Sequence, residues 1–261
     1  MADTNPIKQF EIHEVAPLEI AGLNLAFTNS AFFMLLATVS VTLLMALATN
    51  KRALVPGRGQ SIAEILYGFV ADMVRSSAGN EGLRFFPFVF TLFIFILAGN
   101  MFGMFPYLPL PIPGVDNHGF TITSHIIVTL TLSMMVMAIV VGFGVYKNGF
   151  KFLKLFVPAG VPPILYIIVT PIEVISFLSR PISLSVRLFA NMLAGHILLK
   201  VFAGFIVMLG AAGAAWGIVG ILPFAMVIGL TALEFLVAFL QAYVFAILTC
   251  IYLNDALHPA H

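Results

Sequence analysis

Long apolar runs alternate with short polar segments along most of the chain. A membrane-spanning helix needs about 20 mostly apolar residues, and the pattern predicts ordinary spans at residues 31–49, 85–105 and 125–146. Ser30 stands before the first span and is predicted to cap it. The polar segments NKR and KNGFKFLK end the first and third spans, and PYLPLPIPG ends the second. The pattern therefore indicates a helical membrane protein.

Residues 61–78 follow a different pattern, that of an amphipathic helix. Ser61 and Glu64 have the spacing of a capping box, which marks a helix start. Apolar side chains recur every three or four positions, so they share one face of the helix: Ile62, Ile65, Leu66, Phe69, Val70, Met73 and Val74. Such a helix is expected to lie on the membrane surface or against another subunit, without crossing the bilayer.

Two longer apolar segments, 161–205 and 221–255, complete the chain. A helix of about 40 residues is roughly 60 Å long, twice the ~30 Å hydrocarbon core. Two interpretations follow. In the first, each segment forms two ordinary spans or re-entrant pieces, with the breaks of segment 161–205 at Pro171 and Pro181. In the second, each segment is one long helix that lies steeply oblique to the membrane normal. We favour the second interpretation, because the first segment has no polar loop in its middle. Residues 1–261 are thus predicted to form a single membrane domain.

The composition supports this class of protein. Hydrophobic residues make up 61% of the chain and charged residues only 9%, whereas a soluble domain is typically about 25% charged. Cys250 is the only cysteine, so no disulfide can form within the chain and a thiolate metal site is not expected. The expected fold class is an all-α integral membrane protein with about five transmembrane helices and one surface helix.

The distribution of lysine and arginine predicts the orientation, since short cytoplasmic loops are enriched in both. Neither residue occurs in the loop 106–124, and the arm 1–30 has only Lys8. The basic residues cluster around the surface helix and after the third span: Lys51, Arg52, Arg58, Arg75, Arg84, Lys147, Lys151 and Lys154. We therefore expect the N-terminal arm outside and the C-terminus inside.

Charged groups inside the apolar segments are the candidate functional residues. Glu173, Arg180 and Arg187 are successive seven-residue steps, so they line one stripe of a helix, which Asn191 extends by one turn. An arginine at the bilayer centre costs about 2.5–3.5 kcal/mol on insertion scales, and it cannot escape by losing its proton. Glu173 and Arg180 could form a structural salt bridge near the headgroups. Arg187 has no acid nearby on its own helix, which suggests a counter-charge on another chain.

A second polar system is predicted on a different side. His196 lies nine residues after Arg187 and so faces roughly the opposite way, while Glu234 and Gln241 share a face of the last segment. Because the two segments are antiparallel neighbours, His196 and Glu234 could meet and relay protons. The alternative is a purely structural pair. Asn100 in the second span has its own structural alternative, a helix–helix hydrogen bond.

Several motifs resemble a known family. The stretches RPISLSVRLFANMLAGH and LEFLVAFLQAYVFAILTCIYL closely resemble subunit a of F-type ATP synthases, with further support from AEILYGFV and GNMFGMFPY. The resemblance covers nearly the whole chain. The order of His196 before Glu234 is similar to that of mitochondrial and alphaproteobacterial members, because many bacterial members have the two reversed.

The resemblance implies a role for each candidate. Arg187 matches the essential arginine that faces the carboxylate of the rotating c-ring. The outer half-channel residues are Asn100, His196, Glu234 and Gln241, the inner one is Glu173, and Arg180 and Asn191 are supporting polar groups. The chain departs from the family at Gly103, where some members have an acid, and near His125, Ile127 and Thr129, where others often have acids or amides. These departures imply other groups or more water in the outer path.

The function implied is that of the stationary proton-channel subunit, which couples proton flow to ring rotation and ATP synthesis without being catalytic alone. The expected partners are the c-ring, the peripheral-stalk b subunits, other ATP synthase subunits, the lipid bilayer and the transported proton. No cofactor, metal or nucleic acid is expected, and the expected location is a bacterial inner membrane. A proton-coupled secondary transporter is the main alternative, although it would need a midplane substrate pocket. A structural scaffold without an ion path is a third.

Overall fold

A computed structural model describes residues 10–16, 19–20, 23–24, 26–50, 55–105, 120–157, 162, 165–213 and 219–258. Over these ranges the chain forms the α-helices α1 (Asn29–Asn50), α2 (Arg58–Gly82), α3 (Phe86–Gly103), α4 (Ile126–Asn148), α5 (Tyr166–Ala211) and α6 (Ile221–Leu257). Shorter 3₁₀ segments occupy Leu83–Phe85, Ile122–Ser124 and Gly149–Phe156. Among the described residues, five helical stretches are long and apolar enough to cross a membrane: α1, residues 58–103, α4, α5 and α6. The predicted all-α membrane fold class is confirmed.

The long segments are continuous helices. α5 runs for 46 residues with Pro171 and Pro181 inside it, and α6 runs for 37 residues. At 1.5 Å per residue they are about 69 Å and 55 Å long, so each fits a ~30 Å hydrocarbon core only if it is strongly inclined. The alternative in which Pro171 and Pro181 break the first segment into separate pieces is wrong.

Two predicted helix starts are wrong. α1 begins at Asn29, and the Thr28 hydroxyl accepts the Ala31 N–H at 3.3 Å, so Thr28 and not Ser30 is the cap. α2 begins at Arg58, three residues before the predicted capping box, with Gly57 as a cap that offers no side chain. The backbone N–H of Ser61 donates to the Gly57 carbonyl at 2.9 Å, and the Glu64 carboxylate accepts from the Gln60 amide at 2.7 Å.

The amphipathic character of α2 is visible in its burial. Val70, Met73 and Val74 are buried, whereas Ile62 and Ile65 from the same predicted face are exposed. The apolar face of the helix is thus only partly covered by this chain. Large exposed side chains also occur along α5 and α6, as expected for helices that face lipid: Ile175, Val207, Leu222 and Leu236.

The N-terminal arm contains short strands that the sequence pattern did not predict. β1 (Glu14–Ala16) pairs antiparallel with β4 (Phe27–Thr28), and β2 (Glu19–Ile20) pairs antiparallel with β3 (Leu23–Asn24). Asn29 ties this arm to the start of α1, since its side chain donates to the Glu11 carbonyl at 3.1 Å and accepts from the His13 N–H at 3.3 Å. Strands of two or three residues are too short for an alternating pattern to reveal.

The chain divides into two compact units, and the divisions fall inside α1, α3, α5 and α6. The first unit comprises residues 1–41, 95–125 and 189–241, and the second comprises 42–94, 126–188 and 242–261. Buried side chains of the first unit include Phe33, Phe120, Ile122, Met192 and Ala238. Those of the second include Val70, Val89, Phe93, Val136, Leu184, Leu188 and Phe245. The prediction of a single membrane domain stays a prediction.

Parts of the basic-residue argument lie outside the described residues, namely Lys8, Lys51, Arg52 and the loop segment 106–119. The predicted orientation therefore also stays a prediction.

Candidate functional site

Asn100 is fully buried in the first unit and has a partner at each end of its amide. Its Nδ2 donates to the Ala238 carbonyl on α6 at 3.1 Å, and its Oδ1 accepts from the Thr123 hydroxyl at 2.6 Å. The helix–helix hydrogen bond weighed as a structural alternative is therefore present. The amide also fixes the short polar segment that precedes α4.

The polar segment before α4, residues 121–124, contacts His196 through the hydroxyl of Thr121. Thr121 Oγ1 lies 2.6 Å from His196 Nε2. The backbone carbonyl of Thr121 accepts the Ser124 hydroxyl at 2.6 Å and the Ser124 N–H at 3.1 Å, which closes a tight turn around it. Thr121 and Ser124 are buried, and His196 is half-buried. The ring of His196 is thus held by a side chain that is itself locked in place.

Glu234 projects from α6 onto Gly195 of α5. A side-chain carbon on Gly195 would overlap Glu234 Oε1. Both carboxyl oxygens are buried, and neither has a hydrogen-bond partner among the described residues. The two predicted members of the pair, His196 and Glu234, therefore lie in the same cluster without bonding directly to each other. A buried carboxyl group without a partner is costly, and an ionisable group that a membrane helix retains at such a cost is a candidate functional residue.

Gln241 lies on α6 two helical turns after Glu234, and it is buried in the first unit. Asn191, on α5, is exposed.

Arg187 lies on the second-unit part of α5. It is exposed, whereas Leu184, Ser185 and Leu188 around it are buried. The Ser185 and Thr129 hydroxyls are 2.9 Å apart, which fixes this buried face of α5 against α4. Among the described residues Arg187 makes no ion pair or hydrogen bond. Its guanidinium therefore faces away from the packed side of α5.

Arg180 has a different setting. Its Nη1 lies 2.9 Å from Asp255 Oδ2 near the end of α6. The guanidinium also lies over the rings of Phe177 and Tyr252, at 5.4 Å and 5.0 Å from their centroids. Glu173 is half-buried and makes no ion pair within the described part of the chain. The salt bridge between Glu173 and Arg180 that was considered above is thus not formed.

Known proteins resemble this chain along its full length. The family model described as ATP synthase A chain matches residues 31–254. ATP synthase subunit a of Maricaulis maris is 70% identical over 262 residues, which cover 100% of both chains. The proteins of the same name from Mesorhizobium japonicum and Chelativorans sp. are 58% and 57% identical and cover 98% and 99% of both chains.

The chain belongs to the ATP synthase subunit a family. The resemblance read from the motifs is confirmed, and family membership does not favour a proton-coupled secondary transporter. The roles of individual residues stay predictions, because family membership does not test them.

Sequence reasoning missed several residues that surround the candidate site residues. Thr121 and Thr123 come from the TITS segment, whose polarity next to a span was the only available signal. The sequence pattern did not indicate Gly195 or Asp255, because each contributes only through a contact with a side chain of another helix. Gly195 lies against Glu234, and Asp255 pairs with Arg180.

Distinct settings surround the four positions at which the resemblance implied a departure, Gly103, His125, Ile127 and Thr129. A side-chain carbon on Gly103 would overlap the Thr121 side chain, so that space is filled. His125 stacks on Phe120 at 5.0 Å between centroids, and its buried Nε2 has no hydrogen-bond partner among the described residues. Ile127 is exposed, and Thr129 is bonded to Ser185.

Proposed function

We propose that this chain is the stationary proton-channel subunit of a rotary F-type ATP synthase, in which two offset half-channels load and unload protons on c-ring carboxylates. As a member of the subunit a family it is an integral membrane component of the ATP synthase complex, and it is not catalytic alone. The observation that carries the proposal is the environment of Arg187, a permanently charged group in a 46-residue apolar helix without an acidic partner in the described chain. Its counter-charge is therefore expected on another subunit.

The outer half-channel is assigned to the cluster of the first unit. A proton enters past Asn100, His196 and Glu234, with Gln241 further along α6. Two features of the cluster support this assignment. The two buried oxygens of Glu234 have no hydrogen-bond partner among the described residues, and the Thr121 hydroxyl lies within hydrogen-bond distance of the His196 ring. Imidazole and carboxyl groups are the side chains best suited to pass protons near neutral pH.

The inner half-channel is assigned to Glu173. A c-ring carboxyl group that has taken a proton is neutral, so it can pass through lipid at little cost, whereas a carboxylate cannot. When this group reaches Arg187, the nearby positive charge favours its ionised form, and the proton leaves toward the inside. The same cation opposes direct leakage of protons. The driving force is about 2.3 kcal/mol per charge per 100 mV of membrane potential.

Arg180 and Asn191 are assigned supporting roles near the path. The ion pair with Asp255 gives Arg180 a counter-charge within this chain, so Arg180 does not require a carboxylate of the c-ring as its counter-charge. The remaining partners are the peripheral-stalk b subunits and other ATP synthase subunits. The exposed apolar residues Ile62 and Ile65 give α2 a surface for lipid or such a subunit. The proposed location is a bacterial inner membrane, with the N-terminus outside and the C-terminus inside.

The composition of the purified complex tests this proposal. The affinity-tagged chain, extracted in a mild detergent, should co-purify with a ring of small two-helix subunits that each carry a membrane carboxylate. Glu234→Gln should slow ATP-driven proton uptake by inverted vesicles while the ring stays bound. Absence of any such ring, or normal uptake by the Glu234→Gln complex, contradicts the proposal.

A further inference from the structure

The hydroxyl of Thr121 is placed by two independent features of the first unit. The turn Thr121–Ser124 locks its backbone, since Ser124 bonds to the Thr121 carbonyl through both its hydroxyl and its N–H. Gly103, at the end of α3, leaves open the space that the Thr121 side chain fills. Thr121 is buried, and its only hydrogen-bonded side-chain partner among the described residues is His196, at 2.6 Å.

A hydroxyl is a suitable hydrogen-bond partner for an imidazole that changes its protonation state, because it can both donate and accept. When Nε2 carries a proton it needs an acceptor, and when it is bare it needs a donor. A carboxylate offers only acceptors and a backbone N–H only a donor, so each stabilises one state of the ring. A threonine hydroxyl serves both states, because rotation about its C–O bond exchanges its donor and acceptor roles.

We propose that Thr121 is a positioning residue of the outer half-channel, which holds His196 at a fixed orientation in both protonation states and so lets it take up and release protons. The inference rests on the proposed function, and it assigns a role to a residue outside the sequence motifs. It also gives a physical reason for the glycine at position 103. In this chain the Thr121 side chain occupies that space, and a residue larger than glycine would push it away from His196.

The test uses the whole ATP synthase complex in inverted membrane vesicles, with ATP-driven proton uptake divided by the amount of assembled complex. Thr121→Val keeps the shape of the side chain and removes the hydroxyl. We expect uptake to fall roughly tenfold, less than the 10²–10⁴-fold associated with loss of an acid–base group itself. Thr121→Ser keeps the hydroxyl and should restore most of the rate. Thr131→Val is the matched control, because the only hydrogen bond of the Thr131 hydroxyl within the described part of the chain is to the Ile127 carbonyl of its own helix.

A second pair of variants keeps the proposal falsifiable if Thr121→Val fails to assemble. Gly103→Ala retains the Thr121 hydroxyl but displaces it, and uptake should again fall several-fold. Gly99→Ala on the same helix meets only an ordinary contact with Ile122 at 3.5 Å and should leave uptake unchanged. Equal uptake by the Thr121→Val and Thr121→Ser complexes, or full uptake by Gly103→Ala, overturns the role of Thr121. If Glu234→Gln also leaves uptake normal, the proposed function fails as well, so the two failures are distinguishable.

Discussion

The carboxyl group of Glu234 rests on the backbone of Gly195, in the space where any other residue would carry its first side-chain carbon. The two residues belong to different helices, α6 and α5, and Gly195 directly precedes His196. A glycine is needed here for close approach and not for an unusual backbone angle, because it lies within a regular helix. The missing side chain at Gly195 thus makes the space that the Glu234 carboxyl group occupies.

Gly195→Ala should therefore displace Glu234. A shift of about 1 Å in a reacting group can cost as much as 10²-fold in rate, so we expect ATP-driven proton uptake to fall at least several-fold per assembled complex. Gly204→Ala is the matched control on the same helix, since a side-chain carbon there meets nothing within 4 Å. Equal uptake by the two variants would show that the position of Glu234 does not limit proton flow.

The local pattern of the sequence was sufficient to predict where the helices lie and that Arg187 has no acidic partner on its own helix. Span-length apolar runs predicted α1, α3 and α4, and the absence of a polar break predicted that α5 is continuous. The predicted starts of α1 and α2 were wrong, because both helices begin before the apolar runs, with Thr28 and Gly57 as their caps.

The contacts within the candidate site were beyond a local pattern. The Arg180–Asp255 and Thr121–His196 contacts each join residues 75 positions apart. Helical periodicity places residues on faces, but it does not determine which neighbouring helix or loop covers each face. The antiparallel pairing of the two long segments already brought α5 near Glu234, but the contact with Gly195 and the segment that reaches His196 had to come from the structure.

Asn100→Ala tests whether the buried amide holds the outer cluster together. The change leaves the Ala238 carbonyl and the Thr123 hydroxyl without their partner, which costs about 1–3 kcal/mol. At roughly 2–4 °C per kcal/mol for a chain of this size, the thermal midpoint in detergent should fall by several degrees. Thr91→Val on the exposed side of α3 should leave it within a degree or two. Equal midpoints for the two variants would contradict the structural part of the Asn100 assignment.

The Arg180–Asp255 pair should show measurable coupling. The two side chains are 19% and 31% exposed, and residues in direct contact typically couple by 0.5–3 kcal/mol, roughly. In a double-mutant cycle with Arg180→Gln and Asp255→Asn, thermal stability should fall less in the double variant than the two single losses predict.

The exposed pair Lys147–Glu81, with side chains 36% and 59% exposed, provides the control cycle. Its coupling should lie near the ~0–1 kcal/mol typical of surface salt bridges. A smaller coupling for Arg180–Asp255 than for this surface pair would mean that the aromatic rings, and not Asp255, hold the guanidinium.

Arg187→Ala is the most direct test of the central claim, that this cation serves a carboxylate on another subunit. The variant complex, reconstituted in vesicles with its ring intact, should hydrolyse ATP without acidifying the vesicle interior, because the ring carboxylate no longer meets a cation that favours loss of its proton. Arg187→Lys should not restore pumping fully, since lysine differs in geometry and can itself lose its proton when buried. Normal ATP-driven acidification by the Arg187→Ala complex, at a wild-type level of assembly, would contradict the account.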